Sequence, residues 1–298
     1  MILESTFGTT PPTTPAFVVI PHKSTTLALA KGSVESQQIR TDRQVADLRH
    51  GNRQVGGEIS SEMTWTDFDN ILQAVLCGTW ASNVLVPGIT YRSYSILRQF
   101  TDQTGGGVIM PFMLYKGCLF NTFGLTLAAE ALAIATFGLW GREQTAATTG
   151  PTGFTYTAPS TNKPFDSFRG SITVDGSPIG SVSELTLTLE NGVEPRFVLF
   201  TDKSNFPKYG KIRITGSFTA YFDDAALLNK FNGEVPAALV FTMQDLSGHT
   251  YTFTLPRLVL TGGQPDASGE DDITLTIPFT ATYDDVGATN SMSITRTT

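Results

Sequence analysis

Apolar residues fall on alternate positions through much of the chain, the pattern of half-buried strands rather than of helices. Leu185, Leu187 and Leu189, then Ile212 and Ile214, then Leu239, Phe241 and Met243, then Tyr251, Phe253 and Leu255 are the clearest runs. Between Phe123 and Trp140 the only charge is Glu130, so this stretch has the length and apolarity of a membrane span. Its apolar side chains nevertheless occupy every second position from Phe123 through Ala131 to Leu139. That period predicts a β-hairpin turning near Ala129 and Glu130. Helical spacing appears in two short places. Phe68, Ile71, Leu72, Val75 and Leu76 share one face, with Thr66 or Asp67 placed to cap the helix and Gly78 to end it. Leu227, Leu228 and Phe231 form a second face, starting at Asp223 or Asp224 and stopping by Gly233.

These two places belong to a longer internal resemblance. Asp67, Ile71, Leu72 and Val75 match Asp223, Leu227, Leu228 and Phe231 at one spacing, each set following an aromatic, Trp65 or Tyr221. Further on, Ala131, Ala133, Ala135 and Phe137 match Ile273, Leu275, Ile277 and Phe279 at a shorter spacing, which places extra residues in the loop Thr79–Ser93 of the first copy. The prolines of residues 1–23 among threonines predict an extended arm, and the Thr-, Pro- and Gly-rich stretch 144–168, uncharged before Lys163, predicts a linker. The expected organisation is therefore two tandem β domains, 24–143 and 169–298, each with one short α-helix.

Composition narrows the function. Only 16% of the 298 residues are charged, which leaves an uncharged, Thr- and Gly-rich surface suited to broad protein contact. The net charge of −7, without a dense run of Lys and Arg, argues against tight nucleic-acid binding. Cys77 and Cys118 lie in apolar surroundings and read as free thiols, and the N-terminal sequence lacks the basic and apolar regions of a secretory signal. No HExxH, CxxC, GxSxG or GxxxxGK[ST] is present, and His22, His50 and His249 are scattered. Neither an enzyme nor a cofactor is expected. The acidic group Asp266, Glu270, Asp271 and Asp272 lacks the alternating spacing of a calcium loop, so no metal is expected there. The aromatics Phe197, Phe200, Phe206 and Tyr209, interleaved with Arg196, Lys203 and Lys208, read as loop anchors at a subunit contact rather than as a nucleic-acid platform.

The stretches ESTFGTTPPTTPAF (Glu4 to Phe17), SQQIRTDRQVADLR (Ser36 to Arg49), GSFTAYFDDAALLNKFNG (Gly216 to Gly233) and HTYTFTLPRLVLTGG (His249 to Gly263) resemble the tail tube proteins of bacteriophages with long, non-contractile tails. The resemblance spans nearly the whole chain and departs in detail at Met110 to Gly117. It implies β-sandwich or barrel-like domains, each with a flanking helix, whose inner strands join those of neighbours into a tube wall. It also implies a structural virion protein, assembled in the host cytoplasm, whose stacked rings surround a tape measure protein, meet tail terminator and distal tail proteins, and later pass DNA without binding it specifically. No membrane is involved. A tail terminator or distal tail ring protein, or a carbohydrate-binding β module, stays open as the alternative. If both copies build the wall, three chains close a ring with pseudo-sixfold repetition, and an acidic lumen lets DNA slide.

Two long connections are the expected contacts between rings. Residues 36–56 carry the alternating charges Arg40, Asp42, Arg43, Asp47 and Arg49, and residues 190–210 carry the apolar Phe197, Val198, Leu199 and Phe200. Phe68, Ile71, Leu72 and Val75 of the first helix, and Leu227, Leu228 and Phe231 of the second, are the expected helix core.

Overall fold

A computed structural model of the chain describes every residue except 13–15, 101–111, 180–181, 222–225, 267–272, 286 and 288–289. The protein is mainly β, as the alternation predicts. Its first half contains β1 (Ile2–Leu3), β2 (Ser24–Thr25), β3 (Ala28–Glu35), β4 (Leu48–Glu62), α1 (Asp69–Val75), β5 (Val84–Leu85), β6 (Tyr94–Gln99), β7 (Phe112–Ala128), β8 (Ile134–Gly141) and β9 (Glu143–Ala147). The second contains β10 (Gly170–Val174), β11 (Ser177–Pro178), β12 (Val182–Glu190), β13 (Glu194–Arg196), β14 (Asn205–Lys208), β15 (Arg213–Tyr221), α2 (Ala226–Asn232), β16 (Ala237–Gln244), β17 (Thr250–Leu260), β18 (Pro265–Asp266), β19 (Thr274–Ala281) and β20 (Ser293–Thr297). The apolar run 123–140 is the β7–β8 hairpin, turning at Ala129 and Glu130, with Glu130 in the left-handed region at φ 59°.

The two halves use the same series of antiparallel pairings. In the first, β6 and β9 flank the start of β7, β8 pairs with its end, and β4 lies between β8 and β3. In the second, β16 and β20 flank the start of β17, β19 pairs with its end, and β15 lies between β19 and β12. Even the outermost step recurs, β1 on β6 and β10 on β16. The register ties individual residues together: Ile59 lies opposite Thr25 and Phe137, and Phe218 lies opposite Leu185 and Ile277. Phe137 thus corresponds to Ile277. The alternation had aligned it with Phe279, because a pattern of period two looks the same after a shift of two residues.

A second sign of equivalence is steric. Gly57 and Gly216 each stand two residues before these buried partners, and a Cβ at Gly57 would lie 2.7 Å from the Thr26 backbone while one at Gly216 would lie 2.3 Å from the Thr186 carbonyl. Both strands therefore need glycine where the neighbouring backbone crowds in. The spacing Val55-x-Gly57-x-Ile59 and Ile214-x-Gly216-x-Phe218 carried this signal in the sequence.

The halves share one hydrophobic core and one sheet. The end of β7 pairs with β12 along seven positions, from Thr122 opposite Glu190 to Ala128 opposite Glu184, and β20 pairs with β5. Phe68, Ile71, Leu72 and Val75 are all buried under this core, whereas Leu227, Leu228 and Phe231 of α2 are only partly buried. The stretch 144–168 holds part of β9 and the fully buried Phe165, whose N–H donates to the Met63 carbonyl. Among the described residues of 1–23 the two-residue β1 is the only strand, and the segment is pinned by the buried carboxylate of Glu4. It accepts from Gly8 N, Ser93 Oγ, Ser95 Oγ and Gly117 N at 2.7–2.9 Å.

The ends of α1 correct the expected capping. Neither Thr66 nor Asp67 caps it; Phe68 occupies the cap position without a side-chain bond. The Asp67 carboxylate instead accepts from Thr64 Oγ1 and Ser160 Oγ, both at 2.6 Å, and holds two loops together. At the other end Cys77, not Gly78, takes the left-handed conformation at φ 49°. Cys77 N bonds to Ala74 O and Gly78 N to Gln73 O, the two bonds of a Schellman closure. Asp223 and Asp224 lie outside the described residues.

Candidate assembly surfaces

The long connection after each edge strand forms an arm, and the two arms meet different fates. The second arm, residues 191–212 with the small β13–β14 ribbon, folds across the first half. Asn191 Nδ2 donates to Val75 O at 2.7 Å and so satisfies an open carbonyl at the end of α1. Arg53 N bonds to Asp202 O at 2.8 Å, and Arg53 Nε bonds to the Asp202 carboxylate at 2.6 Å, which holds that carboxyl below its usual range. Lys203 forms an ion pair with Glu143 of β9. Phe206 packs edge-on against Phe7 with centroids 5.1 Å apart, and Tyr209 stacks on Tyr91 at 4.3 Å. Phe206 and Tyr209 therefore anchor the arm within the chain. The tip of the arm stays outside: Leu199 is 83% exposed and Phe200 105%.

The start of α1 is clamped by the second half as well. Tyr251 Oη donates to Asp69 Oδ1 at 2.5 Å and accepts from Thr66 N at 3.0 Å. Arg296 of β20 forms an ion pair with Asp69 and lies 4.7 Å over the Trp80 ring. Burial raises the Asp69 pKa, while the bonds from Tyr251 and Arg296 work against that rise. Beside them Trp65 stacks on His249, and His249 Nδ1 meets Asp245 Oδ2 at 2.8 Å.

The first arm projects from the outer part of the β3–β4 ribbon, and its loop of residues 36–47 is almost wholly exposed. Its charges pair locally, Arg40 with Asp42 at 2.6 Å and Arg49 with Asp47 at 2.7 Å. Arg43 adopts the left-handed conformation at φ 57°. Ile39 is 102% exposed, and Val34, Val45 and Leu48 are exposed as well. Of the acidic group near Asp266, residues 267–272 lie outside the described residues, and among the described residues no three His, Cys, Asp or Glu side chains gather to hold a metal.

Burial pushes the Cys77 thiol up to about 11 and the Cys118 thiol higher still, with Glu4 adding to the rise at Cys118. The thiolate is the reactive form. Both cysteines are therefore expected to resist iodoacetamide at pH 8 in the folded protein and to react together after denaturation, as read by intact mass. Alkylation of the native chain would contradict the burial.

Comparison with known proteins adds one match. A family model described as phage tail tube protein matches residues 1–281. No curated protein matches the chain.

Proposed function

Since the chain belongs to the phage tail tube protein family and is a structural component of the virion tail, we propose that it closes into rings which stack to form the conduit for DNA during ejection. The observation that carries this reading is the repeated series of pairings, joined by the β7–β12 ladder. Each chain then supplies two similar domains to the wall, and three chains complete a ring with pseudo-sixfold repetition. A contact between unlike surfaces that closes by rotation gives such a ring, and a stack of rings gives a tube. The exposed tips of the two arms, around Arg40 to Arg49 and at Val198 to Phe200, meet the next ring. A tape measure protein fills the lumen during assembly in the host cytoplasm, and terminator and distal tail proteins close the ends. The excess of acidic residues keeps the phosphate backbone from sticking in transit.

Negative-stain microscopy of the purified chain, with symmetry analysis of the images, tests the reading. Long tubes with three chains per ring are expected. Strict sixfold symmetry with six chains per ring would overturn the trimer. Single rings that never grow would make it a terminator or distal ring protein, and dispersed monomers that bind glycans a carbohydrate-binding module.

A further inference from the structure

Every surface by which the second half completes the first has a counterpart that is left open, and the open set defines one interface. β12 is held on both sides, by β15 and by the end of β7. Its counterpart, the strand running from Ser24 through Ala30, pairs with β4 alone among the described strands, and on its other side only side chains reach it, Tyr115 Oη and Arg98 Nη1 donating to Leu27 O. Beside β12, the groove floored by Ile172 and Phe241 is walled by Leu127 to Glu130 from the first half. Beside the counterpart, an apolar groove of about 450 Å³ over Phe17, Leu27, Ile59 and Ile96 has, among the described residues, no wall from the other half. α1 is clamped by Asn191, Tyr251 and Arg296 and buries Ile71, Leu72, Ala74 and Val75, whereas α2 keeps Leu227, Leu228 and Phe231 partly exposed.

We infer that the strand Ser24–Ala30 of one copy pairs antiparallel with residues 262–266 of a second copy, repeating in trans the β12–β7 ladder that each chain makes within itself. This rests on the ring reading and specifies its contact. The register follows from the pairings. Thr25 and Leu185 correspond, because each faces an equivalent buried residue, Ile59 or Phe218. Leu125 and Pro265 correspond, because they face Ala135 and Leu275, each two residues before Phe137 or Ile277. Within the chain Leu187 faces Leu125 and Thr188 faces Gly124. Between chains Leu27 therefore faces Pro265 and Ala28 faces Gln264. The first arm follows this strand as the second arm follows β12, so its exposed Val34, Val45 and Leu48 come to lie over α2 of the second copy. Charges agree with this placement. Arg53 receives Asp202 within the chain, and the exposed Lys211 and Arg213 at the matching place in the second half are ready for Asp42 or Asp47. A free strand edge is a pairing template, and the ring uses it up.

The test is a cysteine pair, Ala28→Cys with Gln264→Cys, both at exposed positions. Facing residues in an antiparallel ladder have Cα atoms about 4.5–5.5 Å apart, within the span of a disulfide. The native cysteines are buried and do not interfere. Assembled tubes of the double variant, oxidised and run on a denaturing gel without reductant, should give dimer and trimer bands and nothing larger, and neither single variant should do so. Tubes that form but stay monomeric on the gel would overturn the contact. A ladder beyond the trimer would place it between rings and overturn it as well. Wild-type chain that forms no rings would remove the ring reading first, a different failure seen before any cross-linking. Hydrogen exchange on wild-type tubes gives the same answer without mutation: amides of residues 24–30 must gain protection on assembly, and unchanged exchange there would refute the pairing.

Discussion

A chain in which residues 36–47 are replaced by a two-residue turn is expected to fold normally and to form no tubes at all. The loop contributes nothing to the core: Ile39 is 102% exposed and Val45 59%. Its ion pairs are local, Arg40 with Asp42 inside the loop and Asp47 with Arg49 at the adjoining start of β4. Surface changes of this kind usually move stability by less than about 0.5 kcal/mol, and a shorter loop closes at slightly lower entropic cost. Assembly is another matter. An arm whose loop, among the described residues, makes no hydrogen bond or ion pair beyond itself and the adjoining start of β4, while the equivalent arm is anchored by Arg53, Glu143, Tyr91 and Phe7, is the part with most to gain from a partner. Thermal unfolding should match the wild type, and electron micrographs should contain dispersed particles. Normal tubes from the shortened chain would show that the arm carries no assembly contact.

Replacing Phe137 with Ala should cost about 3–5 kcal/mol of unfolding free energy, the usual result of emptying a fully enclosed aromatic site. Phe137 is 0% exposed at the centre of β8. It stacks on Phe68 and Phe123 at 5.4 and 5.5 Å between centroids, and meets Phe120 edge-on at 6.3 Å. The loss links β4, β7 and α1 at once, so the site cannot collapse by moving one element. Because β12 continues the sheet from β7, the second half should lose stability together with the first. Urea unfolding followed by both tryptophan fluorescence and circular dichroism should show one shifted transition. All three tryptophans, Trp65, Trp80 and Trp140, lie in the first half, so fluorescence reports on it directly. If the circular dichroism trace split into two steps, with the second unmoved, the halves would be independent and the shared sheet unimportant to stability.

The sequence by itself determined the class of the fold, because alternation states which face of a strand is buried and needs no knowledge of its partner. It also placed the 129–130 turn, since an apolar run with a single charge at its centre can fold back only there, and it placed both helices, whose faces are set by local spacing. Only the tertiary structure decided what pairs with what. Period-two patterning is unchanged by a shift of two residues, so Phe137 could be aligned with Phe279 when the ladder sets it beside Ile277. Caps were decided by competition: Asp67 could have closed α1, but the neighbouring Thr64 and the distant Ser160 took its carboxylate. Two stretches of like length at corresponding positions, 36–56 and 190–210, read alike in sequence as projecting arms. One packs on the first half through Asn191, Asp202 and Tyr209, while in the other the loop 36–47 stands in solvent and residues 48–56 belong to β4. Strand edges and grooves acquire partners through contacts between residues far apart in the chain, and local pattern carries no record of them.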